Sequence, residues 1–270
     1  MQAQSPAALV SALEFYVEAG IDCALAEEPQ DRFAPPPGAR PAPGPGPAPL
    51  PDRPPPAAPG GLPNAAASPE EIAAEARALA RDAGSLDELE RLLAAFDGCA
   101  LKVSAKTLVF ADGTPGGRVM IVGEAPGADE DRMGKPFVGR AGQLLDRMLA
   151  AIGLDRSQVY IANLVPWRPP GNRTPTPQEA AICRPFLDRQ IELADPDFLV
   201  CLGAPATQAL LGTKEGILRA RGRWFPYRTG RREIRGLAML HPAYLLRQPA
   251  QKRLAWRDLQ ALRRALDGRE

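Results

Sequence analysis

The sequence predicts an α/β fold, a three-layer α/β/α sandwich around a central four-stranded parallel sheet. Three observations predict it. Four short apolar runs, residues 118–123, 158–163, 197–203 and 234–240, are each long enough for one strand, and such unbroken runs suit strands covered on both faces. Stretches of helical character near 141–152, 177–193 and 204–211 separate them, and strand–helix alternation builds parallel sheets. Glu124, Asn163, Gly203 and His241 stand at the ends of the four runs, the edge where such sheets bind ligands.

The elements follow in order. Residues 5–27 read as an amphipathic helix, with Leu9, Leu13, Tyr16 and Val17 on one face. Residues 29–67 are low in complexity: fourteen of the 31 prolines lie between Pro35 and Pro63, mixed with Ala and Gly. That composition makes a flexible linker with nothing to bury. The expected division is therefore a helix at 1–28, a linker at 29–67 and one domain at 68–270. Order resumes at Ser68-Pro69-Glu70-Glu71, a capping box with proline at the first helical position. A second box, Ser85-Leu86-Asp87-Glu88, sets two helices at about 69–82 and 86–96. Leu108-Val109-Phe110 and the turn Asp112-Gly113 lead into the first strand. Thr176-Pro177-Gln178-Glu179 caps the helix that begins at 177.

The net charge of +1 hides a split. Residues 1–117 carry 8 basic and 16 acidic side chains, and residues 118–270 carry 25 and 16, with 22 of those 25 arginine. A basic half points to an anionic partner such as a nucleic-acid backbone, although a solvated arginine-rich surface has the same composition. No apolar stretch is long enough to span a membrane, and the first residues lack the pattern of a secretory signal. The four cysteines, Cys23, Cys99, Cys183 and Cys201, include no CxxC pair, so they form neither a disulfide framework nor a zinc site by spacing. A cytoplasmic monomer with no obligate protein partner is expected. No GxxxxGK[ST] is present, which removes a P-loop enzyme.

Two segments carry chemistry. His241, the only histidine, lies in Leu240-His241-Pro242-Ala243-Tyr244-Leu245-Leu246-Arg247. Gly123-Glu124-Ala125-Pro126-Gly127-Ala128-Asp129-Glu130-Asp131 precedes Gly134-Lys135-Pro136-Phe137-Val138-Gly139-Arg140-Ala141-Gly142. With Asn163 ahead of Trp167-Arg168-Pro169-Pro170-Gly171-Asn172-Arg173, these motifs resemble the family 4 uracil-DNA glycosylases. The resemblance runs from about Cys99 to the C-terminus and leaves out everything before residue 68.

The resemblance implies a DNA repair enzyme that flips uracil out of the stack and hydrolyses its N-glycosidic bond, leaving an abasic site. It implies that His241 hydrogen-bonds O2 of the departing base and that the flipped base stacks on Phe137. Asn163 offers a donor for uracil O4 and an acceptor for N3–H, a pattern that cytosine reverses. Glu124 and Glu130 are the candidate carboxylates for activating water. Ala125 occupies the place of an aspartate in the best-known uracil glycosylases. Asn172 is a candidate substrate contact. Leu245 and Leu246 are candidates for the wedge that fills the vacated stack, and Arg168, Arg173, Arg221, Arg223 and Arg247 for phosphate contacts. Two alternatives remain at this stage: a glycosylase for another deaminated base, such as hypoxanthine or xanthine, and a protein that binds uracil or abasic sites without turnover.

The resemblance also implies a [4Fe–4S] cluster held by four cysteines, and here the chain departs. Cys99 and Cys183 fit two of the positions, while Phe96 and Trp167 fill the other two. Cys23 and Cys201 are badly placed to replace them. The expectation is a protein with no cluster, in which Cys99 and Cys183 are remnants and aromatic packing has taken the place of metal.

Overall fold

The computed structural model describes residues 68–269. The helix expected at 1–28 and the linker at 29–67 lie outside the described residues, as does Cys23. The chain enters through α1 (Pro69–Asp82) and α2 (Leu86–Ala95). At α1 the capping box closes in both directions: Ser68 Oγ accepts from Glu71 N–H at 3.2 Å, and the Glu71 carboxylate accepts from Ser68 N–H at 2.6 Å. At α2 only half of the expected box forms. Ser85 Oγ accepts from Glu88 N–H, but the Glu88 carboxylate accepts from Gly84 N–H, one residue further back. A short α3 (Leu101–Ser104) follows.

Four parallel strands make the centre of the sheet, as expected: β2 (Val119–Gly123), β3 (Val159–Asn163), β4 (Phe198–Leu202) and β6 (Glu233–Met239). The sheet is wider than the sequence reading, with six strands in the order β1-β3-β2-β4-β6-β5. The two additions are antiparallel edges. β1 (Asp112–Gly113) pairs with β3, and β5 (Trp224–Arg228) pairs with β6. β1 is the segment taken as a turn. β5 escapes a pattern search because it carries Pro226 and two arginines nearby, a composition tolerated only on an edge.

The crossover helices are α5 (Arg140–Ala150), α6 (Pro177–Ala194) and α7 (Ala204–Leu211). Short helices α4 (Ala128–Met133), α8 (Ile217–Ala220) and α9 (Pro242–Arg247) interrupt the loops, and α10 (Lys252–Leu266) closes the chain. Alternate strand residues serve opposite faces. Val119, Ile121 and Val200 pack with Leu145 and Leu149 of α5 and Leu259 and Leu262 of α10. Met120, Val122 and Leu199 pack with Leu187 and Ile191 of α6 and Leu210 of α7. A third cluster joins α1 and α2 to Trp167 and to Cys183 and Phe186 of α6. Among the described residues no helix is long and apolar enough to cross a membrane.

In the parallel register Gly123 stands beside Asn163 and Leu202 beside Met239. The carboxyl ends of all four central strands therefore finish at one edge, and the loops that leave them surround a common space.

Candidate active site

A cavity of about 570 Å³ opens at that edge, with Glu124, Glu130, Phe137, Asn163, His241 and Arg247 in its wall. Three connections supply these residues, those that leave β2, β3 and β6, and tight backbone approaches hold them together.

Phe137 takes a left-handed backbone, φ +53°, which costs a non-glycine residue on the order of 1–3 kcal/mol. Two glycines permit it. A Cβ on Gly142 would lie 1.7 Å from the Phe137 carbonyl oxygen, so that helix position must be bare. A Cβ on Gly123 would lie 2.6 Å from both Phe137 Cζ and Asn163 Oδ1, so the strand end must be bare as well. The ring then lies against His241, with centroids 5.5 Å apart and planes inclined by 30°.

Asn163 is 6 % exposed. Among the described residues nothing hydrogen-bonds its amide, and the side chain forms part of the cavity wall. The residue is mostly buried but its amide opens onto the cavity, where a ligand can reach its donor and acceptor.

His241 is the N-cap of α9, and its Nδ1 accepts from Ala243 N–H at 3.1 Å. A nitrogen that accepts carries no proton, so in the neutral ring the proton sits on Nε2. Burial and the neighbouring Arg247 charge lower its pKa to about 4, against the pull of Glu130. At neutral pH His241 is an uncharged N–H donor.

The two carboxylates behave differently. Glu130 is saturated by the backbone: one oxygen accepts from Val138 N–H and Gly139 N–H, both at 2.9 Å, and the other from Gly127 N–H at 3.1 Å. It ties the start of α4 to the segment after Phe137. Glu124 has no side-chain hydrogen bond or ion pair among the described residues, so its carboxylate is free to take a water. Ala125 lines the same wall.

The arginines separate in the same way. Arg221 is mostly buried and paired with Asp258 through both nitrogens it presents, and it also donates to the Leu254 carbonyl at 2.8 Å. That corrects its assignment as a phosphate contact, because its side chain is mostly buried and Nε and one terminal nitrogen are already used inside the fold. Arg173 makes a forked pair with Glu179 at 2.6 and 2.8 Å. This pair, first among several contacts, holds the Glu179 carboxyl down to about 2. Arg223 Nη1 donates to both oxygens of Glu215 at 2.7 Å. Arg168 donates to Asn172 Oδ1 at 2.7 Å, so Asn172 faces the cavity from a loop that Arg168 braces. Arg247 lines the cavity, is exposed and pairs with no acid among the described residues.

The two leucines also separate. Leu245 is 1 % exposed and belongs to the core under α5 and α10, which corrects its assignment as a wedge. Leu246 is 37 % exposed on the same helix. Helical geometry turns adjacent residues about 100° apart, so only one of a Leu-Leu pair can face out.

Sequence reasoning gave no role to Tyr244 and Ile217, which also line the cavity. Tyr244 lies inside a quoted motif, whereas nothing local marks Ile217.

The corner expected to hold an iron–sulfur cluster does not fit one. Cys99 and Cys183 are buried with their sulfurs 3.8 Å apart, and Phe96, Trp167 and Phe186 pack in the same cluster. The Cys99 sulfur and burial push the Cys183 thiol well above its ordinary value. Cys201 belongs to a different cluster, on β4. Two thiols fall short of the four that a cubane needs.

The family model described as the uracil DNA glycosylase superfamily matches residues 110–260. A type-4 uracil-DNA glycosylase of Thermotoga maritima is 42% identical over 165 residues, which cover 60% of this chain and 84% of the relative. The type-4 enzyme of Archaeoglobus fulgidus is 40% identical over 61% of this chain and 85% of its own length. That of Sulfurisphaera tokodaii is 36% identical over 66% and 84%.

Proposed function

The chain belongs to the uracil-DNA glycosylase superfamily, and from its likeness to type 4 members we propose how its cavity removes uracil from DNA. The activity is hydrolysis of the N-glycosidic bond during DNA repair. The observation that carries the mechanism is the Asn163 amide, open to the cavity and without a hydrogen bond among the described residues, in the same cavity as the Phe137 ring and a neutral His241.

Uracil turned out of the helix stacks on Phe137 and completes Asn163, giving its N3–H to the amide oxygen and taking a hydrogen bond at O4. The bond from C1′ to N1 breaks, and its electron pair stays with the base and spreads onto O2. The Nε2–H of His241 stabilises that charge. An uncharged donor suffices, because a preorganised hydrogen bond toward developing charge is worth about 3–4 kcal/mol. Water adds to C1′ and gives its proton to Glu124, the carboxylate left free. Glu130 acts on the loop, through its three backbone partners. Arg247 and Leu246 meet the DNA, as a phosphate contact and as the wedge. Lys135, the one lysine in these motifs, pairs with Asp112 at 3.3 Å, so the abasic strand stays uncut. The two-thiol corner supports a chain without an iron–sulfur cluster, and no step runs through one. The enzyme acts as a monomer, and its buried free thiols suit a reducing cytoplasm.

The test is a panel of end-labelled oligonucleotides carrying a single uracil, hypoxanthine or cytosine, treated with enzyme and resolved with and without alkali. Cleavage is expected only at uracil and only after alkali. Preference for hypoxanthine, or scission without alkali, would overturn this reading.

A further inference from the structure

Arg156 does not line the cavity, yet both terminal nitrogens of its guanidinium donate to carbonyls of the segment that presents Phe137. It lies in the short turn just before β3, held by Asp155 Oδ1, which accepts from Ser157 N–H at 2.8 Å. One terminal nitrogen donates to Asp112 Oδ2 at 2.6 Å and to the Pro136 carbonyl at 3.2 Å. The other donates to the Phe137 carbonyl. Nε donates to Asp146 Oδ1 on α5 at 2.8 Å. Asp112 also receives Lys135 at 3.3 Å, so one carboxylate on β1 ties together the cations on either side of the Pro136–Phe137 peptide.

The left-handed backbone of Phe137 needs such a clamp. The residue would relax by turning its carbonyl, and that carbonyl is the group Arg156 holds while it also abuts Gly142. A turned peptide would swing the ring away from His241. We propose that Arg156, seated by Asp112 and Asp146, is a positioning residue for uracil excision that fixes the Phe137 ring as the stacking platform. The inference rests on the role given to Phe137 above. Lysine cannot substitute, because a single ammonium lacks the planar fork that reaches two carbonyls and two carboxylates at once.

The test combines single-turnover excision with hydrogen exchange of the Val138 and Gly139 amides, in the full chain and in Arg156→Met, Arg156→Lys, Phe137→Ala and the Arg156→Met/Phe137→Ala pair. Arg156→Met is expected to slow excision by about ten- to a hundredfold, since a displacement near 1 Å costs that much, with affinity for uracil-free duplex unchanged. Arg156→Lys should fall between it and the parent. In the Phe137→Ala background the same change should cost nothing further, because the platform is already gone. Both amides should exchange roughly tenfold faster in Arg156→Met, as the segment opens locally. If Arg156→Met fails to fold, Asp112→Asn takes its place in the same cycle. An unchanged rate, an equal loss with and without Phe137, or unchanged exchange would overturn the proposal. A parent chain that excises no uracil would instead sink the reading of the site, while the exchange data would still decide whether the clamp exists.

Discussion

At His241 the hydrogen bond from Ala243 N–H occupies Nδ1 and leaves Nε2–H as the donor. Burial and Arg247 then keep the ring neutral. His241→Ala is expected to slow single-turnover excision by roughly two to three orders of magnitude, with little change in DNA binding. The sign of the pH effect follows from a folded pKa, about 4, that lies below the ordinary value. The neutral form predominates above the ordinary value and survives in the fold until pH approaches the lowered one. The excision rate should therefore be flat from pH 8 to about 5 with respect to this group and fall only as pH nears 4. A break at the ordinary histidine value would contradict a neutral donor. His241, Asn163 and Glu124 were legible as a set because each follows or closes an apolar run, whereas Phe137 came only through the resemblance. What the sequence hid was how each side chain is used. Glu124 and Glu130 look alike in one acidic run, and only folding shows that backbone amides claim Glu130.

Among the elements, α9 shows how a motif splits on folding. Leu245 and Leu246 are equivalent as letters, but one faces the core and the other faces out. Leu246→Ala should reduce excision from duplex about tenfold while sparing single strands and stability. Leu245→Ala should instead cost about 2–5 kcal/mol of stability, read by denaturant unfolding. The corner between α1, α2 and α6 makes a parallel case. Phe96 and Phe186 rings meet at 5.3 Å, and Trp167 is 2 % exposed beside the two thiols. Trp167→Ala is expected to cost about 3–5 kcal/mol, whereas Cys99→Ser should leave excision largely intact. Protein purified without oxygen should carry no iron by metal analysis. About four irons per chain would show that the aromatic corner yields to a cluster after all. The central strands and the crossover helices were readable because their periods and capping boxes are local. The edge strands and the terminal helix α10 were not assigned. β1 is two residues long, β5 carries a proline, and α10 has no side-chain cap, although Ala255, Leu259 and Leu262 keep helical spacing.

For the whole molecule, the sheet brings the loops after its four central strands to one edge, and residues nearly 120 positions apart, from Glu124 to His241, face one cavity. The excess of arginine in residues 118–270 overstated the DNA surface. Arg173, Arg221 and Arg223 are paired with Glu179, Asp258 and Glu215, while Arg247 pairs with no acid among the described residues. Partners far apart in sequence, such as Arg221 and Asp258, cannot be read from composition. The central claim is that the Asn163 amide identifies the base. The most direct measurement is the ratio of single-turnover rates on matched uracil and cytosine oligonucleotides, for the parent chain and for Asn163→Asp. A carboxylate can accept from cytosine N4 but cannot donate to uracil O4. The account predicts that the ratio falls by about two orders of magnitude in Asn163→Asp, the scale of a lost specific hydrogen bond, chiefly through a slower reaction on uracil. An unchanged ratio, with the variant folded, would contradict it.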